Sequence, residues 1–334
     1  MTLSTAAGLA MLGSLILYAL LGGADFGGGI WDLLAAGPRK AAQRALVERA
    51  IGPIWEANHV WLILVVVVLF TGFPAAFAAV STTAFVPLTL LLFGIVLRGS
   101  AFAFRASAGR DATQARWGLV FSASSVLAPL TLGAVVGALA SGRLRVAADG
   151  TPTSSPLAWL TPFTVSTGLL AAALFALLAA VYLTVEAEGD LREDFRRRAL
   201  GAGLATFLAA AAAAALSARE APLVFEGLTA RPWSIPLQLA TGAAASGALA
   251  ALLTRRYRLA RLLAAAQASL IVAGWGAAQY PFLVVPDVTL ASAVAPERTM
   301  ALLLGALAAG ALTLLPSLWL LFRVFKGRER PTSA

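Results

Sequence analysis

The sequence predicts an all-α, polytopic membrane protein that forms one integral domain over residues 1–334, and three observations carry that reading. Of its 334 residues, 60% are hydrophobic and only 12% charged, with a mean hydropathy of +0.84, far more apolar than a soluble domain tolerates. Uncharged stretches near the ~20 residues that a helix needs to cross a bilayer recur along the whole chain. Alternating strand patterns are absent, which argues against an outer-membrane barrel.

Nine apolar segments can be marked: Leu3 to Gly23, Val60 to Ala79, Phe85 to Leu97, Gly118 to Leu139, Pro162 to Tyr182, Leu200 to Leu216, Ile235 to Leu253, Leu259 to Tyr280 and Met300 to Phe322. The first has no Lys or Arg ahead of its apolar core and no small-residue cleavage site, so it reads as a retained span, not a signal peptide. Basic residues follow every second segment. They are Arg39, Lys40, Arg44 and Arg49 after the first; Arg98, Arg105, Arg110 and Arg116 after the third; and Arg192, Arg196, Arg197 and Arg198 after the fifth. Arg255, Arg256, Arg258 and Arg261 follow the seventh, and Arg323, Lys326, Arg328 and Arg330 the ninth. Of the 25 basic residues, only Arg143, Arg145, Arg219, Arg231 and Arg298 fall on the opposite side. Because Lys and Arg collect on the cytoplasmic face, the alternation predicts an odd span count, N-terminus outside and C-terminus cytoplasmic.

Composition also excludes chemistry. There is no cysteine, so disulfides, thiolate catalysis, iron–sulfur clusters and thiolate zinc sites are ruled out. A single histidine excludes two-His metal sites and bis-His haem, so the sequence predicts no metal ligand set and no cofactor-binding residues of its own. The net charge of +9 does not signal nucleic acid, because the basic residues are scattered through short loops between spans.

The chemistry-bearing stretch runs Gly52-Pro53-Ile54-Trp55-Glu56-Ala57-Asn58-His59-Val60-Trp61 and opens directly into the second apolar segment. Pro53 suits the first turn of a helix, which would put Glu56 and His59 one turn apart on one face. Asp25 lies roughly 33 Å along a helix begun at Leu3, near the same boundary, flanked by glycines that admit a close neighbour. A charge at mid-bilayer costs on the order of 3 kcal/mol, so such groups read as functional. Asp25 and Glu56 are the candidate proton-path carboxylates, with Arg98 as counter-ion and His59 as a relay member or, more simply, a hydrogen-bonded interface residue. Trp31, Trp55 and Trp61 read as an aromatic belt, and Asp287, between Pro286 and Val288, as a turn residue.

Several segments together resemble subunit II of the cytochrome bd-type quinol oxidases. The resemblance rests on Gly23-Ala24-Asp25-Phe26-Gly27-Gly28-Gly29, on Gly52 to Leu62, on Leu97-Arg98-Gly99 with Phe104-Arg105, and on Pro162-Phe163-Thr164-Val165 with Gly168-Leu169. It continues at Tyr182-Leu183 with Glu188-Gly189 and closes at Tyr280-Pro281-Phe282-Leu283 before Pro296. It implies nine helices in two four-helix bundles plus one peripheral helix, in the plasma membrane of a prokaryote. The implied partner is a haem-bearing subunit I that carries b- and d-type haems and the quinol site, with a small accessory subunit as a further partner. By motif position, Asp25 and Glu56 match the family's membrane carboxylates implicated in proton delivery. Where many relatives read Asp-Gly-Phe-Asp, this chain reads Gly22-Gly23-Ala24-Asp25, so one carboxylate is missing. The competing reading is a proton-coupled secondary transporter with Asp25, Glu56 and His59 as its coupling site.

Overall fold

The first apolar run does not stop at its glycines. In the computed structural model, which describes residues 2–52, 55–107, 111–147 and 149–326, helix α1 (Leu3–Leu33) passes through Gly22, Gly23 and Gly27 without a break. Thr2 caps it, its hydroxyl accepting from the Thr5 N–H at 3.2 Å and so satisfying one of the open donors of the first turn. Pro53, Ile54, Arg110, Arg328 and Arg330 lie outside the described residues.

After α2 (Lys40–Ile51), the second span is assembled from α3 (Trp55–Asn58) and α4 (Val60–Gly72). The segment predicted from Val60 to Ala79 is therefore not one helix. Phe73 leaves helical geometry at φ −139°, ψ 61°, and Pro74 opens the separate helix α5 (Pro74–Thr83). Proline has no N–H to extend the preceding hydrogen-bond ladder, whereas at the first position of a new helix the missing donor costs nothing.

Helices α6 (Phe85–Ser107) and α7 (Asp111–Ala140) follow, and α8 (Pro162–Glu186) starts at a capping box in which Thr161 and Thr164 each serve the other's backbone N–H,. The chain ends with α9 (Gly189–Glu220), α10 (Pro222–Ala230), α11 (Ser234–Leu253), α12 (Tyr257–Gln279) and α13 (Glu297–Lys326). Between the last two, β1 (Phe282–Val284) and β2 (Val288–Thr289) form a short antiparallel ribbon. Among the described residues, nine stretches are long and apolar enough to cross a membrane, in register with the nine predicted segments.

These spans form two groups. Helices α1, α4, α6 and α7 pack together, as do α8, α9, α11 and α12, and the groups join where α1 and α7 meet α8. Helix α13 lies outside both, against α1 and α4, with Leu302, Leu312 and Trp319 exposed. In a bilayer, lipid tails compete equally for apolar surface, so helices associate through close packing and internal hydrogen bonds. The α1–α8 junction has both. A Cβ at Gly27 would overlap the Phe175 carbonyl and the Ala179 methyl, and the Trp31 indole N–H donates to the Ala176 carbonyl at 2.8 Å. Trp31 is thus a buried interhelical tie, not a belt residue, and Trp61 is buried as well.

Candidate functional site

An α-helix advances 100° per residue, so residues seven apart return to almost the same azimuth, and an uninterrupted α1 places Tyr18, Asp25 and Asp32 on one stripe. All three are buried, at 0%, 5% and 1% exposure. The two carboxylates are about 10 Å apart along the axis at 1.5 Å per residue. Each is met by a side chain from another helix.

Asp25 is held from the second span. The Asn58 amide donates from Nδ2 to Asp25 Oδ2 at 2.6 Å and reaches the Leu21 carbonyl at 3.5 Å. The short turn between α3 and α4, closed by the His59 N–H on the Glu56 carbonyl at 3.2 Å, points Asn58 inward and leaves Glu56 exposed. Glu56 is exposed, whereas His59, one turn on, is partly buried. His59 packs among rings, with centroids 5.9 Å from Tyr18, 5.8 Å from Phe26 and 6.4 Å from Trp55.

Arg98, on α6, is 1% exposed and stacks over Phe26 and Phe121, its Cζ 4.8 Å and 5.3 Å from the ring centroids. The guanidinium lies within electrostatic reach of Asp25 and the Tyr18 hydroxyl. The structure thus brings Asp25, Asn58, Arg98 and His59 to one locus, while Glu56 stands at its outer edge. The Tyr18 hydroxyl, the Trp61 indole N–H and the Arg98 Nε and Nη2 have no hydrogen-bond partner among the described residues. Buried donors without acceptors are expensive, and four such atoms belong to the helices that surround Asp25.

Asp32 escaped the sequence reading, although its spacing from Asp25 is the signal that finds it once α1 is continued past Gly29. It accepts from Arg105 Nη1 at 3.2 Å and from the Ser122 hydroxyl at 2.8 Å, with Arg44 Nε at 3.8 Å. Arg105 also reaches Glu48 at 3.8 Å. One carboxylate therefore joins α1 to α2, α6 and α7. Nearby, Arg39 makes a bidentate pair with Asp194 at 2.8 and 2.6 Å, fixing the α1–α2 junction on α9.

At the opposite end of the bundle Asp287 does more than shape a turn. It accepts both Nε and Nη2 of Arg145, at 2.8 and 2.9 Å, and the Val146 N–H at 3.0 Å. The Arg145 guanidinium holds the Asp287 carboxyl below the usual carboxylate range. The pair clips the α7–α8 loop to the ribbon. Among the described residues, no group of three or more His, Asp or Glu side chains is arranged to hold a metal ion.

A family model described as cytochrome bd terminal oxidase subunit II matches residues 3–325. The chain belongs to that family. The putative cytochrome bd menaquinol oxidase subunit II of Bacillus subtilis (strain 168) is 25% identical over 333 residues, covering 95% of this chain and 94% of that protein. The cytochrome bd ubiquinol oxidase subunit 2 of the same strain is 28% identical over 203 residues, 61% of this chain and 59% of the relative's own length. A chain of the bd oxidase from Geobacillus thermodenitrificans shares the fold, with a TM-score of 0.81 at 24% identity over 98% of this chain and 100% of that one.

Proposed function

We propose that this subunit II family member supports quinol-driven reduction of oxygen to water in a membrane terminal oxidase and supplies a cytoplasmic proton inlet to it. In this reading the haems, of b and d type, and the quinol site belong to a partner subunit I, and the complex sits in a prokaryotic plasma membrane with N-terminus outside and C-terminus inside. The chain itself is not the catalyst, and a small accessory subunit completes the assembly. The observation that carries the inlet is Asp25, buried within the first span and held by Asn58.

Glu56, exposed at the mouth, receives protons from water, and Asp25 takes them inside the low-dielectric layer. Asn58 fixes the Asp25 rotamer through its amide, Arg98 supplies compensating positive charge, and the ring cage around His59 excludes bulk solvent. The deciding experiment uses the complex from its native membrane, comparing Asp25→Asn and Glu56→Gln with wild type for oxygen uptake per haem. Both variants are expected to assemble with normal haem content, with turnover slowed at least about tenfold in Asp25→Asn, in line with the 10²–10⁴-fold that a positioned proton carrier contributes. Normal turnover in assembled enzyme would refute the inlet, and joint loss of haem and partner would make the carboxylates structural.

A further inference from the structure

At the end of the second helix group, where α8 stops, α9 begins and α11 turns into α12, the chain forms a cavity of about 520 Å³. Arg192, Arg255, Arg256 and Arg258 line it together with Tyr257 and Thr184, and no carboxylate is among its lining residues. Glu193, one of the neighbouring acids, is engaged by Arg196 at 2.8 Å and Arg197 at 3.5 Å, and reaches Arg255 at 3.9 Å. Four guanidiniums around one small space give it a positive potential that favours an anion, with Arg255, Arg256 and Arg258 open to solvent,. Arg192 is fixed in place, its Nε donating to the Ala187 carbonyl at 2.6 Å and its guanidinium 5.5 Å from the Tyr257 ring centroid.

We infer that this arginine cup binds the phosphate of an anionic membrane phospholipid whose acyl chain lies in the groove between α9 and α11. Guanidinium forks match phosphate oxygens in pairs. The first turn of α12, whose N-cap Arg256 makes no side-chain cap bond, adds open backbone N–H donors on the same wall. Basic pockets between membrane helices at the headgroup level are where such lipids are recognised. The cup lies at the ends of four spans, and a neighbouring apolar cavity of about 810 Å³ runs from Leu252, three residues before Arg255, along Leu249 and Ala245 of α11 and Gly203 and Phe207 of α9. The two cavities share no lining residue, but a basic patch at the ends of the spans with an apolar groove about one turn away along α11 fits a lipid better than a free anion.

The test is lipid retention by the complex purified in mild detergent, read by native mass spectrometry for wild type, Arg256→Gln/Arg258→Gln and the control Arg219→Gln. Wild type and control are expected to retain phosphatidylglycerol, and the double variant to bind it at least about tenfold more weakly, the loss that corresponds to about one charge-assisted contact. A second arm adds phosphatidylglycerol, phosphatidylcholine or inorganic phosphate to delipidated complex and follows thermal unfolding. Stabilisation by phosphatidylglycerol alone, abolished in the double variant, supports the assignment and also shows that the variant folds. Equal retention in all three proteins, or inorganic phosphate displacing the lipid or matching its effect, would overturn it.

Discussion

Replacing Arg105 with Gln tests whether the Asp32 network holds the first helix group together. Asp32 is 1% exposed and the Arg105 side chain 13% exposed, so the pair lies in the regime where removing one partner leaves an uncompensated buried charge and costs about 3–5 kcal/mol. After Arg105→Gln, Asp32 keeps the Ser122 hydroxyl at 2.8 Å and the partly exposed Arg44 at 3.8 Å. That residual support places the expected cost near the lower limit, about 3 kcal/mol. At about 2 °C per kcal/mol for a chain of this size, the midpoint should fall by about 6 °C. The double variant Asp32→Asn/Arg105→Gln removes charge and partner together and should recover at least about 1.5 kcal/mol relative to the sum of the single variants. The assay is thermal unfolding of the detergent-solubilised protein at several scan rates, so that an irreversible step is not mistaken for a stability change. Strict additivity, the double variant losing what the single variants lose together, would refute the coupling.

Gly27→Ala forces a methyl into the Phe175 carbonyl and should cost about 1–3 kcal/mol, visible as a lower thermal midpoint, whereas Gly13→Ala, which meets nothing within 4 Å, should not. Asp287→Asn tests the loop clip through pH. Because the folded carboxyl is depressed by Arg145, its stabilisation is complete above the unfolded value of about 3.9 and lost as pH falls through the lower folded one. The wild-type advantage over the variant should be constant from neutral pH down to about 4.5 and shrink below it, as followed by hydrogen exchange of the β1–β2 ribbon. His59→Phe, which keeps a ring among Tyr18, Phe26 and Trp55, should leave oxygen uptake within about twofold of wild type, and a larger loss would support His59 as a relay member.

Hydropathy and charge alternation located the nine spans because both report depth in the membrane. They do not report azimuth. For that reason the inward position of Asn58 and the outward one of Glu56, two residues apart, were not separable, and Trp31 and Trp61 read as belt residues when packing had buried them. The Phe73–Pro74 break lies in an uncharged run, where only the proline marks it. Asp32 was hidden because it lies nine residues beyond the apolar segment that ends at Gly23, where hydropathy no longer reports the helix. Asp287 needed a partner 142 residues away, which no local pattern can supply. Of the groups around Asp25, Arg98 could be named from the sequence as a counter-ion, but Asn58 and Tyr18 could not, since an amide in a short polar stretch and a tyrosine in an apolar run are ordinary until the helix phase is known.

The stripe on α1 also constrains how the proton reading can fail. Apolar side chains in lipid say little about axial register, because a helix slid by one turn meets surroundings just as apolar. Polar pairs do specify it. Asn58 from α3 answers Asp25, and Arg105 from α6 with Ser122 from α7 answers Asp32. Sliding α1 by one turn, about 5.4 Å, would carry both acids away from these partners at once, with the full cost of buried unpaired polar groups. Asp25 is therefore expected to matter for assembly whether or not it carries protons, and a substitution that only abolishes activity cannot tell the two apart. Asn at position 25 can still accept from Asn58 and so preserves the register while losing the titratable group, whereas Leu removes both. A proton carrier predicts that Asn and Leu are equally inactive but differ in stability, while a register pin predicts that Asn is active and Leu fails to assemble.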